Sequence, residues 1–120
     1  AQGNELWDAF KQKHLPYLLV THEFSAAVMA DAYGRVTGRP GVLCVVPGPG
    51  VTNCLTGLGE ALLDSVPVVA IVGDVANGEH FRPFQVHALP NADILRPVCK
   101  AVYPVATVEQ IPALVRQAFV

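Results

Sequence analysis

Two unbroken apolar runs govern what this chain can become. Val42–Val46 lies between Gly41 and Pro47, and Pro67–Val72 closes on Gly73-Asp74. Strands that are continuously apolar, rather than alternating, are typically covered on both faces, as in parallel sheets. Between the runs, Thr52–Leu63 sets Leu55, Leu58 and Leu62 on one helical face. Strand, helix and strand in that order predict a parallel sheet in an α/β sandwich.

The rest of the chain fits the same plan. Asn4–Lys13 spaces Leu6, Trp7 and Phe10 as a helix does. Leu18-Leu19-Val20 reads as a short strand after Pro16. Glu23–Val36 reads as a helix with Phe24, Ala27, Val28 and Tyr33 available for its buried face, stopped by Gly38 and then Pro40. Ala76–Asp93 is irregular, Pro97–Tyr103 reads as a further strand, and Val108–Val120 carries a helical stripe of Ile111, Leu114, Val115 and Ala118. No internal repeat or low-complexity linker divides the 120 residues, so one domain is expected.

Composition excludes several functions. Hydrophobic residues are 52% and charged residues 15%, against a usual charged fraction of about 25%, so the chain is no disordered tail. A net charge of -2 offers no electrostatic footprint for nucleic acid. No apolar run approaches the roughly 18 residues of a membrane span, and Ala1–Phe10 does not resemble a signal peptide. Cys44, Cys54 and Cys99 form an odd, widely spaced set without CxxC, which speaks against a disulfide framework or zinc site and for a reducing, cytoplasmic setting. Cys44 reads as a small buried hydrophobe. His14, His22, His80 and His87 show no metal-ligand spacing; for His22 the expected role is structural.

Two places carry chemistry. Val46-Pro47-Gly48-Pro49-Gly50-Val51-Thr52-Asn53 joins the first long strand to its helix. Its glycines let backbone approach a ligand, and in a doubly wound sheet ligands bind at the carboxyl ends of strands. It is neither GxGxxG nor a Walker A loop. Thr52 and Asn53 are candidates either to cap the helix or to bind ligand. His22-Glu23 sits where a strand is expected to pass into a helix, and a first-turn glutamate is favoured by the helix dipole whatever its function. In a parallel sheet, however, Glu23 and the glycine-proline turn fall on one edge.

These residues resemble a known family. Thr21-His22-Glu23-Phe24-Ser25-Ala26-Ala27 through Ala30-Asp31-Ala32-Tyr33-Gly34-Arg35-Val36-Thr37-Gly38 is similar to the "HE…AA…A.GYAR.TG" block of thiamine-diphosphate enzymes. Pro47–Asn53 resembles their "GPGxTN" turn, Asp64–Gly73 their "D..PV..I.G" strand, Phe84-Gln85 their "FQ" pair, and Arg96–Lys100 their "RP..K" segment. The blocks follow family order and spacing from Thr21 almost to the end of the chain. The resemblance is to the N-terminal, pyrimidine-binding domain of the acetolactate synthase, pyruvate oxidase and benzaldehyde lyase group. Two departures stand out: Pro47 replaces a usual Ser, Thr or Ala, and Val86 follows the "FQ" pair where an acid is common, which weakens assignment to acetolactate synthase proper.

The resemblance implies a flavodoxin-like three-layer sandwich, doubly wound and mainly parallel, whose first strand precedes Ala1. It implies that Glu23 bonds N1′ of the aminopyrimidine ring and activates the cofactor for carboligation or decarboxylation of a 2-keto acid or aldehyde. Val46, Pro49 and Asn53 would line the pyrimidine pocket. Gln85 would face the thiazolium and substrate, with Phe84 beside it, and Gln2 would be on the substrate side. Mg²⁺ and the diphosphate would be held by a second domain, of a neighbouring subunit in a homodimer or homotetramer, since the "GDG…N" metal motif has no counterpart here: Val75 follows Gly73-Asp74. The resemblance also admits FAD, which depends in the family on a middle domain. The 120 residues then hold half a site at most and do not turn over substrate alone. Gly57, Gly59 and Ala61 permit close packing, either within the chain or at a subunit interface. An uncharged Gly41–Gly59 also suits a domain covered by others. Two alternatives stay open: a nucleotide- or flavin-binding α/β module, and a structural or regulatory domain that has kept the fold without the chemistry, against which the retained Glu23 argues.

Overall fold

The computed structural model describes residues 3–75 and 85–120. In chain order the elements are α1 (Asn4–Gln12), α2 (Glu23–Thr37), β1 (Gly41–Val45), α3 (Pro49–Leu63), β2 (Val68–Val72), α4 (Asn91–Leu95) and α5 (Ile111–Ala118), with 3₁₀ turns at Arg96–Val98 and Val108–Gln110. β1 and β2 pair in parallel, Gly41 opposite Val68 and Val45 opposite Val72. Parallel neighbours need a crossover connection, and α3 provides it. The α/β class with a parallel sheet read from the sequence is the observed one.

The core lies where α2, α3 and α4 meet one face of β1. It contains Ala27 and Ala30 of α2, Leu43 and Val45 of β1, Val51, Cys54 and Leu58 of α3, and Leu95 of α4. Alternation in β1 is clear: Gly41, Leu43 and Val45 are buried, Cys44 is half-buried and Val42 is exposed. β2 is half-buried throughout.

α2 buries Ala27 as expected, but not the large residues expected beside it. Ala27, Ala30, Asp31 and Gly34 point inward, whereas Phe24, Val28 and Tyr33 are exposed. The reason is distance. A Cβ on Gly57 of α3 would stand 2.6 Å from Cβ of Ala27, and one on Gly41 of β1 would collide with the Ala30 carbonyl. Only small residues fit against backbone that close. Gly57 and Ala61 are buried within the chain, so intrachain packing accounts for that part of the small-residue face.

Asp31 and Arg35 tie the far ends of the two helices together. Arg35 donates to Asp31 Oδ2 and reaches Asp64 Oδ2 just beyond α3, both at 2.7 Å.

Two expected strands do not form. Leu18-Leu19-Val20 is irregular, with Leu18 71% and Leu19 84% exposed; no described strand lies beside it, and an apolar run becomes a strand only when its backbone groups find partners. Pro97–Tyr103 opens in the 3₁₀ turn and continues without ladder pairing. Pro97 and Pro104 bracket it, and proline donates no ladder bond. Smaller shifts are that β1 begins and ends one residue earlier than expected and that α3 begins at Pro49 rather than Thr52. Proline is well suited to that first helical position.

Candidate functional site

The site forms where α2 and α3 both begin, beside the carboxyl end of β1. His22 caps α2: its Nδ1 accepts the Phe24 N–H at 3.1 Å, which is the structural role expected of it. Glu23, next in the chain, is half-buried and free of that duty.

The glycine-proline turn delivers the other half. β1 ends at Val45 and the chain passes Val46, exposed, and Pro47, fully buried. Gly48 then adopts φ 68° and ψ -110°, a conformation open to glycine and costly for other residues. α3 therefore starts at Pro49, and Asn53 lies a full turn inside it rather than at the cap. Thr52 bonds back to the Pro49 carbonyl at 3.1 Å.

From there the Asn53 Nδ2 donates to Glu23 Oε2 at 3.1 Å, joining two candidates thirty positions apart. Gly50 completes the arrangement. A Cβ on it would lie 2.9 Å from Val46 Cγ2 and 3.7 Å from Glu23 Oε1, so its missing side chain leaves a cradle between the turn and the carboxylate. Among the described residues, Oε1 carries no hydrogen bond.

Gln85 lies in the turn that packs on Gly48. A Cβ on Gly48 would strike the Val86 carbonyl and come within 2.8 Å of His87 Cα. Val46 and Glu23 thus border the Gly50 cradle, Asn53 holds Glu23, Pro49 adjoins Gly50 in the chain, and the Gln85 turn packs on Gly48 two positions earlier. Gln2 and Phe84 lie outside the described residues. So does His80.

The cysteines are free. Cys54 is fully buried one position after Asn53 and bonds the Val51 carbonyl. Burial pushes its thiol up to about 11 and also raises Cys44 and Cys99. Cys44 is less enclosed than its apolar run suggested. Among the described residues, no group of three His, Cys, Asp or Glu side chains is placed to hold a metal ion, and no helix is long and apolar enough to cross a membrane.

Comparison with known proteins gives the family of the chain. Residues 1–93 match the family model of the thiamine pyrophosphate enzyme, N-terminal TPP binding domain. The chain belongs to this family. As a thiamine pyrophosphate enzyme domain it is 38% identical over 119 residues to an acetolactate synthase of Bacillus subtilis. It is 39% identical over 118 residues to the large subunit of acetolactate synthase isozyme 2 of Escherichia coli, and 42% over 102 residues to the chloroplastic acetolactate synthase 2 of Nicotiana tabacum. These alignments cover 99%, 95% and 85% of the domain, but only 21%, 21% and 15% of the relatives. The domain is therefore similar to about a fifth of an acetolactate synthase.

One residue of the domain's site gave no signal in the sequence. Asn91 is buried, and its Oδ1 accepts the Gly48 N–H at 2.8 Å. The two are 43 positions apart, so no local pattern links them.

Proposed function

We propose that this chain is the pyrimidine-binding domain of a larger thiamine-diphosphate enzyme that acts on 2-keto acids or aldehydes, with Glu23 as the cofactor-activating carboxylate. The observation that carries the reading is the Asn53–Glu23 bond, with Gly50 beside the other carboxylate oxygen. A half-buried carboxylate with one oxygen held, and the other without a hydrogen bond among the described residues, suits a flat, basic heterocycle.

Thiamine diphosphate, when bound, supplies the electron sink for making and breaking a carbon–carbon bond beside a carbonyl. The protein's part is to place and poise it. Glu23 would share a proton with a ring nitrogen through Oε1. Asn53 would keep the carboxylate from rotating, since it holds Oε2. Val46 and Pro49 would form the wall of the pyrimidine pocket, exposed and half-buried as they stand. Gln85 would act from the turn against Gly48, toward substrate.

The remaining parts of such a site would come from elsewhere. Mg²⁺ and the diphosphate would bind a second domain, contributed by a neighbouring subunit of a homodimer or homotetramer. FAD, where present, would also sit outside this domain. The relatives' names favour acetolactate synthase chemistry, and a cytoplasmic setting suits three free thiols.

The test is reconstitution. The chain alone, titrated with thiamine diphosphate and Mg²⁺ by calorimetry, is expected to show neither stoichiometric binding nor turnover. Both should appear when it is joined to its diphosphate-binding half. Turnover by the chain alone would contradict the half-site reading.

A further inference from the structure

Asn91 makes a knot that the cofactor-facing residues do not explain. It is 7% exposed, begins the short helix α4, and touches three separate segments of the chain, two through backbone and one through a side chain. Its Oδ1 accepts the Gly48 N–H at 2.8 Å, in the turn that launches α3. Its Nδ2 faces Asp74 Oδ1, just past β2, at 3.5 Å, and the His87 carbonyl, in the Gln85 turn, at 3.5 Å. Asp74 Oδ1 is itself fixed by the Val75 N–H at 2.8 Å.

Gly48 is the point that needs holding. Its backbone is in a glycine-only conformation, and the Val86 carbonyl and His87 Cα press where a side chain would be. Helix α3 follows at once, and its Asn53 holds Glu23. A shift at Gly48 would therefore move Asn53 relative to Glu23 and, at the same time, relative to Gln85. A side-chain amide suits this junction because it accepts and donates at once. An ionised aspartate only accepts, and it would face the Asp74 carboxylate.

We propose that Asn91 is a positioning residue: it fixes the Gly48 turn, and through it the spacing of Asn53, Glu23 and the Gln85 turn. This rests on the thiamine reading of that site. The titratable groups around it are Asp74 from the segment after β2, His87 from the Gln85 turn, Asp93 of its own helix, and Tyr103, which lines the same 170 Å³ cavity as Asp74 and Asn91.

The experiment uses the full-length enzyme that carries this domain, with Asn91→Asp, Asn91→Leu, and Asp74→Asn added to Asn91→Asp. Displacement of groups that position a reacting centre costs up to about 100-fold in rate. Asn91→Asp at pH 8 is accordingly expected to lose about 10- to 100-fold in kcat at saturating cofactor. The loss should shrink, relative to wild type at each pH, as the pH falls and the new carboxyl gains a proton it can donate to Asp74. Adding Asp74→Asn removes the pair of facing carboxylates and offers the new acid an amide, and should restore part of the lost kcat at pH 8, a rescue that a general loss of packing would not give. Hydrogen exchange at the Gly48 amide, read without cofactor, should be faster in Asn91→Leu, which removes its acceptor. If that amide stays protected, or if the double variant is no better than Asn91→Asp, the proposal is overturned. Should Asn91→Leu fail to fold, the aspartate pair still decides. A wild type that binds no thiamine diphosphate would instead overturn the reading of the site, while the exchange rates would still report whether Asn91 holds Gly48.

Discussion

Asn53 on α3 holds Glu23 at the start of α2 through a 3.1 Å hydrogen bond between side chains thirty positions apart. Asn53 is exposed, so the bond contributes little to folding, about 1 kcal/mol or less. Its value is orientation. Asn53→Ala in the full-length enzyme is expected to lower kcat/KM about tenfold or more, with folding stability changed by no more than about 1 kcal/mol. Steady-state kinetics and urea denaturation on one preparation check both halves.

Helix spacing sets that bond, and two glycines on α3 separate the cause from the background. Gly57→Ala would put a Cβ 2.6 Å from Ala27 Cβ and 3.2 Å from α2 backbone. Neither can yield, and overpacking of this kind costs about 1–3 kcal/mol. Gly59→Ala meets only Val98 Cγ1, at 3.7 Å, an ordinary contact. There the helix-propensity gain of up to about 1 kcal/mol should prevail. Denaturation midpoints should therefore fall for the first variant and hold or rise for the second.

Gly48 and Gly38 make a similar pair. Both have positive φ, but nothing lies within 4 Å of a Cβ on Gly38, whereas Gly48 is pressed by Val86 and His87. Gly38→Ala should cost only the backbone term, about 1–2 kcal/mol. Gly48→Ala should cost more than this by the added collision, another 1–3 kcal/mol or so. Equal losses would mean that the Gln85 turn does not press on Gly48.

Burial of Cys54 gives the fold a pH dependence on the alkaline side. Its thiol rises from 9.0 to about 11 on folding because desolvation disfavours the thiolate. Folded chains therefore keep a proton that unfolded chains lose between pH 9 and 11. The stabilisation is complete below pH 9 and is lost as pH rises through that window, roughly 2–3 kcal/mol in all. Cys54→Ala should flatten the slope between pH 9 and 11, and native Cys54 should resist thiol reagents until the domain unfolds.

The β1–α3–β2 unit and the Glu23 and Asn53 positions were legible in the sequence because their signals are local: unbroken apolar runs, a Gly-Pro turn between them, a glutamate at a helix start. What was hidden depends on neighbours far away in the chain. Leu18-Leu19-Val20 has strand composition, but no described strand pairs with it. α2 has large apolar residues at helical spacing, yet it buries Ala27 and Gly34, because α3 and the Val66-Pro67 segment come too close for anything larger. Asn91 reads as an ordinary polar residue after Pro90, and its role appears only when Gly48, 43 positions earlier, is brought beside it.

The most direct test of the central claim is Glu23→Gln in the full-length enzyme. Glutamine can still accept the Asn53 bond but cannot exchange a proton. Thiamine diphosphate should still bind, while turnover of 2-keto acid should fall about 10²- to 10⁴-fold, the usual contribution of a positioned proton-transfer group. Full activity in that variant would contradict the assignment.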